Sequence, residues 1–486
     1  MIDTKAIRSK ILDLAIQGKL TDNISTSDAS VVIPLIEEKY HILLANNETK
    51  QRPEESMIQD DLFELPSTWG WFPLYKLCIF LSRGKSPTYS DVKRYPVFAQ
   101  KCNQPTGLEL HRALFLDEST LNKWQLFYHL TDGDILINST GTGTMGRVGY
   151  YDNALLDSEY PFIVPDSHIT VVRLGEEIDS KYVYHALRSP FLQKIMEHQF
   201  RGTTNQKEFY IKSVAAIPIP LPPLAEQKRI VERIEQVFSV LDEIDELQSR
   251  YTDNLAALKS KLIDAAIQGK LTEQLPEDGT AEELYQQIQK EKQELIKAGK
   301  IKKEKLLPEI TEDEIPFEIP MNWKWVRLGD YMDVRDGTHE SPEFYAEGYP
   351  LVTSKNLKNG EVDLSNVKYI SKADYDSINL RSRVDEGDIL FAMIGSIGNP
   401  AIVGKEHVYA IKNVALFKKI IPECNEYYIY YYFYLVQFTM REKARGGLQP
   451  FVSLSYLRRY LFPLPPLSEQ RRIVECLDEL LALCCG

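Results

Sequence analysis

The sequence lacks the features that mark a membrane or secreted protein. Its 486 residues contain no apolar run of 18 or more, which is about the length that a helix needs to cross a bilayer. The first residues, MIDTKAIRSKILDLAIQGK, carry scattered charges and no apolar core, so they do not have the pattern of a signal peptide. We therefore expect a cytoplasmic protein without a membrane segment.

Cysteine is scarce, and its spacing argues against the usual structural metal sites. The chain has six cysteines, none of them in a C-x-x-C pair and none accompanied by a histidine ligand pattern. Neither zinc nor a disulfide framework is expected from this spacing. Reduced thiols are the ordinary state of such cysteines inside a cell.

The signatures of several enzyme classes are also missing. There is no G-x-x-x-x-G-K-[ST] phosphate loop, no H-E-x-x-H pair and no Asn-Pro-Pro-aromatic tetrad of the adenine methyltransferases. The stretch STGTGTMGRVG at 139–149 contains G-x-G-x-x-G, but RVGYYDNALL follows it and does not look like the helix that a dinucleotide site requires. We predict a glycine-rich turn between strands. A cofactor site and a loop approaching a ligand or the DNA backbone are the alternatives.

The net charge of the whole chain argues against nucleic-acid binding, but the distribution of the charge weakens this argument. The formal charge is −13, the opposite of the basic balance typical of DNA-binding domains. Two stretches, residues 46–65 and 272–318, hold most of the excess acid. The rest of the chain is nearly balanced, which leaves room for basic patches.

An internal repeat organises what is present. Four blocks recur with offsets between 243 and 254 residues: LPSTWGWFPL (65–74) with IPMNWKWVRL (319–328), DGDILIN (132–138) with EGDILFA (386–392), IPLPPLAEQKRIVE (219–232) with FPLPPLSEQRRIVE (462–475), and KILDLAIQGKLT (10–21) with KLIDAAIQGKLT (261–272). A unit of roughly 250 residues is therefore duplicated. The QGKLT block follows the PLPPL block in the middle of the chain but stands at its front in the other copy. We interpret the sequence as a circular permutation of two tandem units, cut inside one helix.

A heptad seam predicts a long helix over residues 226–268, ending at Gly269 as a C-cap. At 1.5 Å per residue it spans roughly 60 Å. The same seam continues in the tail and resumes at the front of the chain, so we expect the two terminal helices to lie together, and two such elements to pair antiparallel. A zipper between separate chains is the alternative. The tail copy is about two turns short. The predicted packing positions are Ile230, Ile234, Val237, Leu241, Ile244, Leu255, Leu258, Leu262, Ile473, Leu477, Leu480, Ile7, Ile11 and Leu14.

Short β-like runs such as DILIN and HITVVRL alternate with turn residues and short amphipathic helices in both copies. We predict two α/β (α+β) domains in pseudo-twofold tandem, joined by long antiparallel coiled-coil helices. Two such heads without shared acid–base residues indicate a binding protein. The expected segments are a first helix (1–21), an acidic linker and helix (22–62), head 1 (63–222), the central helix (223–271), a charged helix and linker (272–316), head 2 (317–465) and a short terminal helix (466–486).

These residues carry a family resemblance. PLPPLAEQKRIVERIEQVFSVLDEI, KSKLIDAAIQGKLT and PLPPLSEQRRIVE resemble the spacer regions of specificity subunits of type I restriction–modification systems. GDILINSTGTGTMGRVG, GDILFAMIGSIGNPAIV, RDGTHESP and LVTSKNLKNG resemble their target-recognition domains. The resemblance covers nearly the whole chain.

The resemblance implies a division of labour. Each recognition domain reads one half of a split double-stranded DNA site. The spacer helices set the distance between the halves and bind two modification (methyltransferase) subunits. S-adenosylmethionine, ATP and Mg are then expected on the modification and restriction (translocase) subunits, and no cofactor on this chain. A two-headed coiled-coil scaffold that does not bind DNA is the alternative function.

Base reading needs side chains with hydrogen-bonding ends on loops, and comparable polar loops occur in both heads. We predict that replacing Lys355 and Asn356 by alanine together disturbs reading of one half-site only. For each residue taken singly, an ordinary solvated loop position is the alternative. The candidates in head 1 are Arg83, Lys85, Ser86, Tyr89, Lys101, Asn103, Gln104, Arg201, Thr203, Thr204, Asn205 and Lys207, and those in head 2 are Arg335, Asp336, Thr338, His339, Lys355, Asn356, Lys358, Arg445 and Gln449.

Overall fold

A computed structural model describes residues 1–22, 24, 27–59, 61–155, 160–202, 207–444 and 450–484. The chain forms two compact units, Met1–Ser249 and Arg250–Gly486, and the division between them falls inside one long helix. Each unit contains one head together with one part of that helix. The finer seven-part division stays a prediction.

Unit 1 begins with helices α1 (Thr4–Ile16) and α2 (Val32–Ala45) and ends in the first part of the long helix α6 (Leu224–Ile267). Its other helices are α3 (Ser180–Leu187), α4 (Pro190–His198) and α5 (Ile211–Ala215). Its strands are β1 (Gly70–Pro73), β2 (Cys78–Arg83), β3 (Tyr89–Ser90), β4 (Pro96–Phe98), β5 (Asn103–Gln104), β6 (Gly107–Leu108), β7 (Leu114–Leu116), β8 (Ile135–Asn138), β9 (Val148–Tyr150), β10 (Val164–Pro165), β11 (Ile169–Leu174) and β12 (Pro218–Leu221).

Unit 2 contains the last part of α6, followed by α7 (Ala281–Lys297), α8 (Leu328–Tyr331), α9 (Lys372–Ser382), α10 (Glu426–Glu442), α11 (Leu454–Arg459) and α12 (Leu467–Leu483). Its strands are β13 (Lys324–Arg327), β14 (Met332–Asp336), β15 (Tyr349–Val352), β16 (Leu357–Lys358), β17 (Glu361–Val362), β18 (Lys368–Ile370), β19 (Ile389–Ala392), β20 (Gly398–Ile402), β21 (Ala410–Ile411), β22 (Val414–Lys419) and β23 (Leu461–Leu464).

The main sheets of the two heads share one topology. Head 1 is built on a four-stranded antiparallel sheet in the order β2-β11-β8-β9, and head 2 on the order β14-β22-β19-β20. A smaller sheet with one parallel pair accompanies each, β10 with β4 and β15 with β21. Each head also contains a separate two-stranded antiparallel sheet, β1–β12 in head 1 and β13–β23 in head 2. The predicted α/β (α+β) character is confirmed, and so is the tandem repeat.

Helix α6 confirms the predicted long helix and its C-terminal glycine. It begins directly after the prolines of PLPPL, which cannot lie inside a helix. It stops before Gly269, whose φ of +70° is the left-handed conformation that a helix C-terminus favours. Gly18 holds the equivalent place after α1, with a φ of +66°. At 1.5 Å per residue, α6 is roughly 66 Å long.

In unit 1, α1 runs antiparallel to the first part of α6. The Thr4 hydroxyl donates to Asp245 at 2.5 Å, and Arg8 donates to Asp242 at 2.7 Å, so the α6 number falls as the α1 number rises. Gln248, which lies between the predicted packing positions Ile244 and Leu255, accepts from the amide of Ile2 at 2.5 Å and donates to its carbonyl at 3.2 Å. At this point of α6 a polar side chain therefore contacts the backbone that precedes α1.

The QGKLT segment contacts the same buried glutamate in both units. Thr21 donates to the Glu226 carboxylate, and Thr272 donates to Glu469 at 3.1 Å. Both glutamates are completely buried at the start of their helices. Thus each unit runs in the order QGKLT helix, head, PLPPL helix. The expected contact of the N-terminal helix with Leu477 and Leu480 concerns two different units and stays a prediction.

The last part of α6 buries a different face from the one that the predicted heptad seam indicates. Its buried residues are Ile263, Ala266 and Ile267, while Leu262 is half-buried and Leu258 is exposed. The three buried residues belong to the core of head 2 rather than to a separate helical seam. Contact with the head therefore decides which face of the helix is covered here.

Candidate nucleic-acid interface

Four loops meet at one edge of the main sheet of head 1. Strands β2 and β8 end there, while β11 and β9 begin there, because neighbouring strands are antiparallel. The register pairs Arg83 with Thr170 and Asn138 with Ile169. We call this group of loops, residues 83–86, 139–147, 166–168 and 207–209, edge 1. It brings the glycine-rich turn next to the first predicted basic loop.

Side chains tie edge 1 together. Arg83 forms an ion pair with Glu208 and donates to the carbonyl of Phe209 at 2.8 Å. Thr140 forms a backbone bridge with Glu208, and its hydroxyl lies 2.8 Å from Nδ1 of His168. The glycine-rich turn therefore links β8 to β9 as predicted, and no helix follows it. A dinucleotide site is not formed, since that site requires a helix N-terminus behind the turn.

Head 2 repeats this arrangement with different residues. Edge 2 consists of residues 336–341, 393–399, 411–413 and 450–452. The Asp336 carboxylate lies 3.0 Å from Nε2 of His339 and pairs with Arg381, and Nδ1 of His339 lies 2.8 Å from Oδ1 of Asn413. The amide of Gly395 donates to the carbonyl of Pro450 at 3.0 Å. The same four loops therefore meet in both heads.

One glycine in each edge is fixed by close backbone approach. A Cβ atom on Gly84 would lie 2.1 Å from the carbonyl oxygen of Pro165, and one on Gly337 would lie 2.2 Å from that of Ile411. Neither glycine has a positive φ, so the requirement is space rather than backbone conformation. These glycines let the loop after the first strand cross the parallel strand pair behind it.

Several predicted contact residues in head 1 are occupied within the protein. Arg83 is held as described, and Lys85 donates to the carbonyl of Lys123 and to Gln125 Oε1, the latter at 2.7 Å. Ser86 lies 3.4 Å from Ser167. Asn103 is buried and donates to Asn138 Oδ1 at 3.0 Å, while the side chain of Gln104 donates to the Lys101 carbonyl at 2.7 Å. These residues shape the loops, and Asn103 has no exposed face for a base.

Several predicted contact residues in head 2 are also held by internal hydrogen bonds. Arg335 donates to Asp333 at 2.7 Å, and Lys358 donates to Asp363 at 2.7 Å, a bond that is the main cause of the lowered pKa of that aspartate. The side chain of Asn356 is buried and makes four hydrogen bonds. Its Oδ1 accepts from the amide and the hydroxyl of Thr353, and its Nδ2 donates to the carbonyls of Asp363 and Asn366. The hydroxyl of Thr338 accepts from the amide of Glu340 at 3.1 Å.

Lys101 and Lys355 are the clearest exposed cations at the predicted loops. Each is the middle residue of a short 3-10 turn, Gln100–Cys102 in head 1 and Ser354–Asn356 in head 2, and the two positions are 254 residues apart like the repeated blocks. Both side chains are exposed, and neither makes a hydrogen bond or an ion pair within the described residues. A lysine in this state can contact a phosphate without first breaking an internal bond.

Tyr89, Arg201 and Lys207 are also exposed in head 1. The buried part of the Tyr89 side chain raises the pKa of its phenol, so this side chain is a neutral hydroxyl at physiological pH. Five candidates lie outside the described residues: Thr203, Thr204, Asn205, Arg445 and Gln449.

Sequence reasoning missed Thr140, His168, Arg381 and Asn413. His168 and Asn413 each stand just before a strand that pairs antiparallel with the strand carrying a predicted basic loop. That position predicts the same edge of the sheet, so the signal was present once the pairing of the strands was assumed. Arg381 is different, because it reaches Asp336 from the end of α9, and no local pattern points to it.

The described residues contain no helix that combines the length and the apolar character needed to cross a bilayer. The same residues contain no group of three histidine, cysteine, aspartate or glutamate side chains placed to share a metal ion.

Comparison with known proteins gives matches over both units. A family model described as type I restriction modification DNA specificity domain matches residues 66–250 and 320–485. The type I restriction enzyme EcoAI specificity subunit of Escherichia coli is 27% identical over 99% of this chain and 89% of its own length. The EcoEI specificity subunit of Escherichia coli is 27% identical over 67% of this chain and 61% of its own length. A solved chain described as "Structural basis underlying complex assembly and conformational transition of the type I R-M system" has a TM-score of 0.57 at 18% identity, covering 87% of this chain and 93% of that one, and shows a shared fold.

Proposed function

Because the two family matches cover most of its length, this chain belongs to the type I restriction–modification specificity subunits, and we propose that it reads a bipartite DNA site with one half-site at each edge. It is a non-catalytic DNA-specificity subunit. The finer proposal is that edge 1 and edge 2 are the reading surfaces. A scaffold that does not bind DNA is not favoured, since the matching family is defined by DNA specificity.

The repetition of the edge carries this proposal. Two heads with the same main-sheet topology place the same four loops together, each with a close-approach glycine and with an exposed lysine nearby. Internal bonds hold most of the polar side chains in these loops. Preorganised loops leave few side chains to be ordered when DNA binds, which lowers the entropic cost of recognition. Exposed lysines add phosphate contacts that position the head without specifying sequence.

The catalytic activities of the complex are expected on partner subunits. The family places the chain with DNA and with the other subunits of a type I system. We propose two modification subunits bound through the helices, restriction subunits beyond them, and a cytoplasmic location for the complex. S-adenosylmethionine, ATP and Mg then belong to those partner subunits. The acidic balance of this chain is compatible with DNA binding if the partners neutralise part of the phosphate charge.

Methylation sequencing of a cell that carries this gene and its modification partner tests the proposal. We expect a motif of two short defined blocks separated by unspecified bases. Exchange of residues 63–222 for another head should change one block and leave the other unchanged. A single continuous motif, or a motif in which both blocks change, would contradict the assignment of one half-site to each head.

A further inference from the structure

One leucine stands exposed beside the edge of each head. In head 1, Leu126 is 81% exposed, and it is the most exposed large apolar side chain among the described residues of that head. In head 2, Leu380 is 89% exposed. The two leucines are 254 residues apart, which is the offset of the LPSTWGWFPL and DGDILIN blocks. They therefore occupy the same place in the repeat.

The sequences around the two leucines have diverged, although the burial pattern has not. NKWQLFYHL in head 1 corresponds to DSINLRSRV in head 2. Two residues after each leucine, Tyr128 and Ser382 are buried, with 4% and 1% exposed. Two residues before, Trp124 is buried and Ile378 is half-buried. A single exposed leucine is ordinary on a protein surface, but an exposed leucine held between anchored neighbours in both copies calls for a shared cause.

Hydrogen bonds connect each leucine segment to the edge of its head. In head 1, Lys85 of edge 1 donates to the carbonyl of Lys123 and to the side chain of Gln125, at 2.7 Å for the second bond. The ammonium group also lies 4.5 Å from the ring centre of Tyr128. The loop after β2 thus fixes the backbone on which Leu126 stands.

In head 2, arginines of β14 and α9 connect the leucine segment to the edge. Arg335 donates to the carbonyl of Arg381 at 3.1 Å, and Arg381 pairs with Asp336 of edge 2. A cleft of about 270 Å³ lies between loop 337–342 and α9, and Thr338, Ser377 and Ile378 are among its lining residues. Arg381, the residue after Leu380, therefore joins α9 to edge 2.

We propose that Leu126 and Leu380 each contact a thymine methyl group in the major groove, one in each half-site. This inference rests on the proposed function and deepens it. The thymine methyl is the apolar group that base pairs present in the major groove. A single exposed leucine matches a single methyl group among polar base edges. A protein partner would instead be expected to cover a larger apolar cluster.

The anchoring of both leucines favours recognition over simple exposure. A leucine on a fixed backbone loses little freedom on binding, so most of the gain from covering its apolar surface is kept. Loss of a contact of about one methyl group corresponds to roughly a fourfold change in affinity, and loss of most of the leucine surface to more. The effect is large enough to measure in a binding assay.

The test uses the complex of this chain with its modification subunit and a duplex that contains the motif found by methylation sequencing. Variants Leu126→Ala and Leu380→Ala are compared with Leu126→Met and Leu380→Met, which keep an apolar side chain. Each thymine of the two half-sites is replaced in turn by deoxyuridine, which removes only the methyl group. Thermal unfolding is recorded for every variant, and alanine at such exposed positions is expected to leave Tm unchanged.

We expect each alanine variant to weaken specific binding about five- to tenfold and the methionine variants to bind nearly as the parent does. Deoxyuridine at one position of one half-site should weaken DNA binding by the parent complex but not by the Leu126→Ala complex. Deoxyuridine at one position of the other half-site should weaken binding by the parent but not by the Leu380→Ala complex. Unchanged binding by both alanine variants would overturn the inference, as would weakening that no deoxyuridine position reproduces. Loss of modification-subunit binding without DNA would show a protein contact instead. A parent complex without sequence preference would refute the proposed function itself.

Discussion

The double replacement of Lys355 and Asn356 should separate into two unrelated effects. Asn356 is 5% exposed and its side chain makes four hydrogen bonds between 3.0 and 3.1 Å, which hold the turn that carries Lys355. At roughly 0.5–1.5 kcal/mol net for each bond, Asn356→Ala should lower the free energy of unfolding by about 3 kcal/mol. For a unit of this size that corresponds to a fall in Tm of roughly 6–12 °C.

Lys355→Ala should act on DNA and not on stability. The exposed ammonium makes no internal bond within the described residues, so its loss should change the free energy of unfolding by less than about 0.5 kcal/mol. If the lysine contacts a phosphate, the variant binds specific and unrelated duplexes with equally reduced affinity. The slope of log affinity against log salt should then become shallower by about one. Lys101→Ala is the matched variant in head 1.

The assay combines two measurements on the same preparations. Calorimetric unfolding of the purified chain gives the stability of each variant, and titration of a labelled duplex at four salt concentrations gives the slope with the modification subunit present. The reasoning fails if Asn356→Ala unfolds with the parent Tm, because a residue with four internal bonds cannot be lost without cost. It also fails if Lys355→Ala redirects the methylated motif while its salt slope stays at the parent value.

Three further predictions concern packing and titration. Gly84→Ala and Gly337→Ala should each impair one half-site, because the added Cβ meets a backbone oxygen at 2.1 and 2.2 Å; a motif with both half-sites intact in both variants would contradict this. His185 is 7% exposed, and burial lowers the pKa of His185 to about 3. Because only the unfolded chain takes up this proton as pH falls below about 6.5, the free energy of unfolding should fall by about 2 kcal/mol between pH 7.5 and pH 5. Urea unfolding of His185→Leu should show a smaller loss over the same pH range. Trp323→Phe should lower the free energy of unfolding by roughly 1.5–3 kcal/mol more than Trp69→Phe, since only Trp323 donates its indole N–H to a buried carboxylate; equal losses would argue against the bond.

The architecture was accessible to sequence reasoning because it is written in repeated apolar patterns. The long helix, the glycine that ends it, the two heads and the strand runs DILIN and DILFA all follow from spacing and turn residues. The phase of the helix near Leu262 did not follow. A heptad pattern reports which residues are apolar, but the core of head 2 decides which of them are covered.

The roles of single loop residues were much less accessible. Asn103 and Asn356 have the amide groups that suit adenine, and their loops are polar, yet both side chains are buried in internal hydrogen bonds. A loop sequence does not distinguish an amide that faces DNA from one that satisfies its own backbone, since both need the same donor and acceptor. The register of the repeat is more informative, because the exposed Lys101 and Lys355 coincide at an offset of 254.

The two edges suggest how such a protein changes its target without losing its fold. The residues that hold each edge together differ between the heads: Arg83 with Glu208 in one, Asp336 with Arg381 in the other. The backbone crossing at the close-approach glycines is the same in both. The fixed element is therefore the path of the chain, and the side chains on it are exchangeable in sets. A change of one member of a set, such as Arg83 alone, leaves the half-buried Glu208 without its cation and should cost stability before it alters specificity. New specificity is reached at lower cost through exposed positions that hold nothing else in place, and the two leucines and the two lysines are positions of that kind.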